Sequence, residues 1–261
     1  MDTNESTLQT STTSLTILDT IADHDGASLS ELADQFDLAQ STLHTHLTTL
    51  YENGFIVKEG SKYYPGLKLL GLGEIAKNRK YEYQIARREA RDLAEKLNEE
   101  VTFSVEEHGR AIIMFAENSD PSRESFQTGR RFYMHASAGG KAILSRFDDE
   151  RISDIIKRWG LPNVTEHTTT DEEELFEDIE QIRERGYSIS DQEAIEGLMA
   201  IGAPVMYPDG QVFGSLDVSG PAYRIVEKRD TIIGLLLNAR DKLEDDVEMS
   251  ASAQRSERFR S

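Results

Sequence analysis

The chain has 261 residues and carries 48 acidic against 29 basic side chains, a net charge of −19. That length suits one large or two modest domains. There is no cysteine, which excludes disulfides, thiol nucleophiles, iron–sulfur clusters and Cys-based zinc sites. No apolar run approaches the ~20 residues of a membrane span and the N-terminus lacks a secretory pattern, so the expectation is a soluble, cytoplasmic protein. The acidic residues are dispersed from Asp2 to Glu257. Such a spread reads as a surface adapted to a very salty cytoplasm, where molar salt screens like charges within ~3 Å; the plainer alternative is an ordinary acidic surface.

Residues 1–13 are polar and read as a disordered tail. Leu15, Leu18, Ile21 and Ala22 then recur at helical spacing, and Asp25-Gly26 ends that helix. Ser28 and Glu31 have the spacing of a capping box ahead of a second helix carrying Leu29, Leu32, Ala33 and Phe36. After a turn at Asp37-Leu38-Ala39, a third helix is expected over 40–53, stopped by Gly54. Residues 55–65 read as two strands around Glu59-Gly60-Ser61. Three short helices and a hairpin make a winged helix-turn-helix, here over 14–70. On the third helix Leu43, Leu47 and Leu50 form a packing face. Ser41, Thr45 and Thr48 lie opposite, with Gln40, Thr42 and His44 beside them. A solvent face usually carries Glu and Lys; hydroxyls, amide and imidazole instead suit base edges in a major groove. The alternative is a merely polar, Thr-rich surface.

Residues 71–82 suggest a linker helix, and Ala86, Ala90, Leu93 and Leu97 the face of a longer one. The period then changes. Strands are expected at 101–107 and 110–116, a loop at Asp120-Pro121-Ser122, and a strand at 124–128. Helices follow near 138–146, 149–159 and 171–185, the last with a capping box from Thr170 to Glu173. Strands at 200–207 and 211–220 flank the hairpin signal Pro208-Asp209-Gly210. A helix over 222–247 closes the domain, and 249–261 reads as a flexible tail. The class is α+β, with an α/β domain over 83–248 on a mainly antiparallel sheet.

Several chemistries fall away. The segment from His135 to Ala142 contains Gly-Lys but lacks the first glycine of a phosphate loop and the hydroxyl after Lys. It reads instead as a tight helix start, with N–H groups at Ala138 and Gly139 facing a ligand oxygen, or with Gly140 packed close to the sheet. His44 and His46 point about 200° apart on a helix and cannot share a metal, so neither a metal site nor a cofactor is expected. His135, Ser137, Asp217 and Ser219 suggest a hydrolase triad only loosely, because no G-x-S-x-G elbow is present; a polar pocket rim is the simpler reading.

Four segments in order carry a family resemblance: LSELADQFDLAQSTLHTHLTTLYENGFI, YMHASAGGKAIL, IRERGYSISDQEAIEGLMAIGAPV and SLDVSGPAYRI. Over roughly 14–247 the chain resembles the IclR-type (isocitrate-lyase-regulator-like) transcription regulators. The resemblance implies a winged helix-turn-helix that binds a double-stranded DNA operator, a linker helix, and a GAF-like domain that binds a small-molecule effector. It also implies homodimers paired through the N-terminal region, where Leu15, Leu18 and Ile75 lie, and homotetramers through the effector domains. DNA contacts are then expected from Gln40, Ser41, Thr42, His44, Thr45 and Thr48, with Lys58 and Lys62 on phosphates. Effector contacts are expected from Ser137, Ala138, Gly139, Asp191, Leu198, Ala200, Asp217 and Ser219, with Met199 as an apolar wall.

Two departures matter. Gln40 and Thr45 stand where the family commonly has cations, and residues 1–80 hold 6 Lys or Arg against 11 Asp or Glu. Phosphate neutralisation is therefore weak, which keeps alive a second class of function, a sensor whose helix-turn-helix binds protein. An enzyme is the third and least supported class. In the effector domain, Met199 and Ala200 replace a frequent Arg-Cys pair and Asp217 replaces a frequent Ser. A carboxylate repels a carboxylate ligand and accepts hydrogen bonds only. The expected effector is thus a sugar, a sugar acid held by its hydroxyl end, or another polyol, ahead of a keto acid. The alternative is that Asp217 pairs with Arg130 or Arg224.

Overall fold

The computed structural model describes residues 7–258 apart from 121, 123 and 124, with side chains as far as Ser252. Residues 1–6 and 259–261 of the expected tails, Pro121 of the expected loop and Glu124 of the expected strand lie outside the described residues. The chain divides into two compact units, Met1–Arg79 and Lys80–Ser261.

In the first unit, helix α1 covers Gln9–Asp23 and so begins inside the segment read as a tail. The hydroxyls of Thr13, Thr16 and Thr20 donate to carbonyls four residues back, which lets a Thr-rich sequence stay helical. The buried stripe is Ile17, Leu18 and Ile21, while Leu15 is exposed. Strand β1 (Ala27–Ser28) precedes α2 (Leu29–Gln35), where the capping box is present: Ser28 Oγ accepts from Glu31 N and Glu31 accepts from Ser28 N. Then come α3 (Gln40–Glu52), β2 (Ile56–Glu59), β3 (Lys62–Pro65) and α4 (Lys68–Lys77). Gly54, at φ +75°, makes the left-handed step that releases the chain from α3 into the wing. The strands form an antiparallel sheet in the order β1-β3-β2. Two-residue β1 was not foreseen, because it is held by pairing with Lys62 and Tyr63 and has no pattern of its own. Ile17, Ile21, Leu32, Leu43, Leu47, Leu50, Ile56 and Tyr63 form one core.

The second unit starts with α5 (Glu82–Leu97) and contains strands β4 (Glu100–Glu107), β5 (Arg110–Glu117), β6 (Arg131–Tyr133), β7 (Ser188–Asp191), β8 (Leu198–Met206) and β9 (Val212–Pro221). Between β6 and β7 run α6 (Ala138–Leu144), α7 (Asp149–Trp159) and α8 (Glu172–Arg185); α9 (Ala222–Glu227) and α10 (Arg229–Arg258) follow β9. The sheet order is β6-β5-β4-β9-β8-β7, and every pair is antiparallel. Val101, Phe103, Val105, Ile201, Leu216 and Val218 pack in one cluster with Ala86, Ala90 and Leu93 of α5 and Ile232, Leu236 and Leu243 of α10. A second cluster joins Ala111 of β5 to Ile143, Leu144, Ile152, Leu175 and Ile179 of α6–α8.

Four details correct the sequence reading. Residues 125–128 form no strand, and the third edge partner is β6, paired with β5 three residues further on. The cap of α8 is Asp171, whose Oδ1 accepts from Glu173 N at 2.8 Å and Glu174 N at 3.1 Å, and not Thr170. The helix expected over 222–247 breaks at Lys228, whose ammonium bonds Glu99 at 2.9 Å, and α10 then runs past Ser250. Strand β7 went unread because its alternation spans only four residues.

Candidate functional site

On α3 the leucines at 43, 47 and 50 are buried, and Gln40, Ser41, Thr42, His44, Thr45 and Thr48 are all exposed. Thr45 Oγ1 donates to Ser41 O, Thr48 Oγ1 to His44 O and Thr49 Oγ1 to Thr45 O, each at 2.9 Å. With those protons turned to the helix, the outward face offers oxygen lone pairs and methyl groups. These are complements for base amino groups and the thymine methyl. His46 is buried and shares a hydrogen bond with Ser14 Oγ at 2.8 Å, so the two histidines do part to opposite sides. Lys58 is exposed, its ammonium 5.3 Å from the Tyr63 ring centroid. Lys62 lies 3.7 Å from Glu31, a weak surface pair that a phosphate can displace.

The second unit holds a partly open cavity of about 60 Å³ between α6 and the polar face of the sheet. That face arises from polar side chains at period two: the hydroxyls of Thr102 and Ser104 on β4 and Ser190 on β7, and the Asp217 carboxyl and Ser219 hydroxyl on β9. Phe126, Phe132, Ile195, Leu198 and Met199 supply apolar walls. Of the sequence-expected residues, Ser137, Ala138, Gly139, Leu198, Ala200, Asp217 and Ser219 all line it. Asp191 does not: alternation along β7 turns Ser188 and Ser190 inward and Asp191 to solvent, beside Gln192 Nε2 at 3.2 Å. Thr102, Ser104 and Ser190 were missed, although hydroxyls at every second position of a strand were a readable signal.

Helix α6 is pressed onto the sheet. Ser137 Oγ accepts from Gly140 N at 3.1 Å, Ser188 Oγ donates to Ala138 O at 2.6 Å, and Ser190 Oγ donates to Ala136 O at 2.9 Å. A Cβ on Gly139 would come within 2.5 Å of Asp217 Oδ2, and one on Gly202 within 2.5 Å of Oδ1. Gly140 is also a close-packing position, against the Met134 backbone rather than the sheet.

Asp217 is 5 % exposed. Its Oδ2 receives Ser104 Oγ at 3.1 Å, and Thr102 Oγ1 and Ser215 Oγ at 3.3 Å. Among the described residues its Oδ1 has no hydrogen-bond partner, nor has Ser219 Oγ. Burial pushes the Asp217 carboxyl up to about 7, against the opposite pull of the three hydroxyls. The expected alternative of an arginine partner fails: Arg224 holds Glu99 at 2.7 Å, and Arg130 lies over the rings of Phe126 and Phe132. Lys141 is turned to Asp178 at 2.9 Å and Glu193 at 2.8 Å. No triad is assembled either, since His135 Nε2 bonds Pro162 O and Ser137 caps α6. Among the described residues no group of three or more His, Asp or Glu is placed to hold a metal ion.

Residues 14–60 match the IclR helix-turn-helix domain and residues 83–244 the C-terminal domain of bacterial IclR transcriptional regulators. The chain belongs to the IclR family. It is 32 % identical over 236 residues to the transcriptional repressor IclR of Escherichia coli, covering 88 % of this chain and 86 % of that one. It is 28 % identical to a probable regulator, ArcR, of Halobacterium salinarum, covering 80 % of this chain and 81 % of that one. The fold matches an IclR regulator of Alicyclobacillus acidocaldarius with a TM-score of 0.77 at 22 % identity, over 93 % of this chain and all of that one. As an IclR-family member the protein is a ligand-responsive, DNA-binding transcription regulator and not an enzyme. The helix-turn-helix match also disfavours the protein-interaction alternative. Among the described residues no helix is long and apolar enough to cross a membrane.

Proposed function

We propose that this regulator reads a two-fold operator in a salty cytoplasm and controls genes that metabolise the small molecule held under α6. The observation that carries the DNA part is the face of α3: exposed Ser41, Thr45 and Thr48 stand opposite buried Leu43, Leu47 and Leu50. Gln40, Thr42 and His44 flank the groove-facing hydroxyls, and Lys58 and Lys62 reach the backbone. The curated relatives include an acetate operon repressor of Salmonella typhimurium, which supports control of a metabolic operon. The Halobacterium relative supports the high-salt setting.

Pairing supplies a second half-site without new contact chemistry. Helix α4 buries none of its residues, and Leu70, Leu72 and Ile75 on it stand exposed. On α1, Leu15 is exposed too. A homodimer that covers these side chains is the reading we favour, with tetramers through the second unit. The test of the function is a band shift on the DNA upstream of its own gene at molar KCl. A specific, saturable shift is expected, and its absence at all salt concentrations overturns the reading.

A further inference from the structure

Two buried polar atoms in the effector unit lack partners among the described residues, Asp217 Oδ1 and Ser219 Oγ, and both residues line the same cavity. The two side chains are at i and i+2 of β9, on one face of the strand, about 6–7 Å apart at their Cα atoms. Buried polar atoms are normally satisfied, so a pair left open on one wall marks the contacts of an absent ligand. Asp217 is also the single ionisable side chain lining the cavity, among described residues.

The chemistry of the pair is selective. Ser104, Thr102 and Ser215 already donate to Oδ2, so once the carboxyl ionises, above about 7, the free Oδ1 awaits one more donor. A carboxylate ligand brings none and would sit like-charged beside an ionised Asp217. An ammonium brings three donors to a wall with two open atoms, and the remaining walls are largely apolar. A hydroxyl brings one donor and two lone pairs. Two adjacent hydroxyls, themselves about 3 Å apart, bridge the span between Oδ1 and Oγ with ordinary hydrogen-bond lengths. Size narrows the class further. A tight, partly open cavity of about 60 Å³ favours the compact members of that class.

We propose that Asp217 and Ser219 recognise a small vicinal diol, one hydroxyl donating to Asp217 Oδ1 and its neighbour hydrogen-bonded to Ser219 Oγ. The proposal rests on reading this cavity as the effector site. It makes Asp217 the residue that sets effector class, turning the pocket from carboxylates toward short polyols.

The test is titration calorimetry and thermal shift on the full chain in high salt at pH 8, where Asp217 is ionised. The probes are glycerol and erythritol, with 1,3-propanediol, ethanolamine and pyruvate as comparisons at matched concentration. Saturable binding of a vicinal diol is expected, with 1,3-propanediol giving only the unsaturable effect of a cosolvent. Asp217→Asn and, independently, Ser219→Ala should each weaken that binding about ten- to a hundredfold. Binding of pyruvate or ethanolamine in preference to both diols overturns the proposal. So does the absence of saturable binding by either diol, or unchanged diol affinity in a folded Ser219→Ala. The operator band shift is scored separately: a chain that binds the diol but no DNA overturns the regulator reading and leaves the pocket assignment standing.

Discussion

The Lys141 ammonium donates to both carboxylate oxygens of Glu193, at 2.8 and 2.9 Å, and so ties α6 to the segment that follows β7. Asp178 of α8 completes the cluster at 2.9 Å. Thr168 Oγ1 donates to the Glu193 carbonyl at 2.7 Å and fixes the same segment from the other side. Ala194 and Ile195, the next two residues, wall the cavity. A lysine that reads in sequence like part of a phosphate loop is thus a strut for the pocket.

Removing one member of a buried ion cluster leaves the rest uncompensated. Lys141→Met should destabilise the effector unit by about 3–5 kcal/mol. Urea unfolding in molar KCl, followed by circular dichroism, checks this. A variant within 1 kcal/mol of wild type, roughly the scale of an exposed pair, contradicts the strut.

Asp217 should make stability fall as pH rises. The unfolded chain releases this proton near the ordinary 3.8, whereas the folded chain holds it to about 7. Between those values the folded state binds more protons, so stability declines with pH and then levels off above 7. The displacement is worth roughly 4 kcal/mol. Among the described residues no other titratable group faces the carboxyl: its neighbours are Thr102 and Ser104 of β4, Ser215 of β9, Gly202 of β8 and Gly139 of α6. Asp217→Asn should flatten this part of the profile and melt higher than wild type at pH 8 without ligand. Parallel profiles for the two proteins between pH 4 and 8 would refute the assignment.

Operator binding should depend on hydrogen bonds more than on charge. Gln40→Ala combined with Thr45→Ala should lower operator affinity, with little change in the salt slope. That slope should reflect only a few phosphates per subunit, each contributing about −0.9 in log K against log salt. Fluorescence anisotropy across KCl concentrations measures both. A slope fit for ten phosphates, or an unaffected double variant, contradicts this view of α3.

Ile75→Glu on α4 should shift the protein toward monomer. Light scattering at micromolar concentration in high salt is expected to give a dimer or larger for wild type and a smaller species for the variant. A monomeric wild type would remove the pairing role from α1 and α4.

The sequence by itself determined the local order of this protein. Ser28 and Glu31 announce α2, Leu43, Leu47 and Leu50 orient α3, and Pro208-Asp209-Gly210 closes the β8–β9 hairpin, because caps, helical periodicity and turns are properties of neighbouring residues. It also exposed the odd residue of the pocket, Asp217, and most of the α6 side of the cavity. What only the tertiary structure decided is set by pairing across long separations. Strand β1 exists because β3 lies beside it, β6 falls at Arg131–Tyr133 where β5 offers an edge, and Asp191 points outward by the alternation of β7. Asp217 finds three hydroxyls instead of an arginine for the same reason. Thr102 and Ser104 reach it through β4–β9 pairing more than a hundred residues apart in sequence, and no local pattern can specify which buried oxygen is left open.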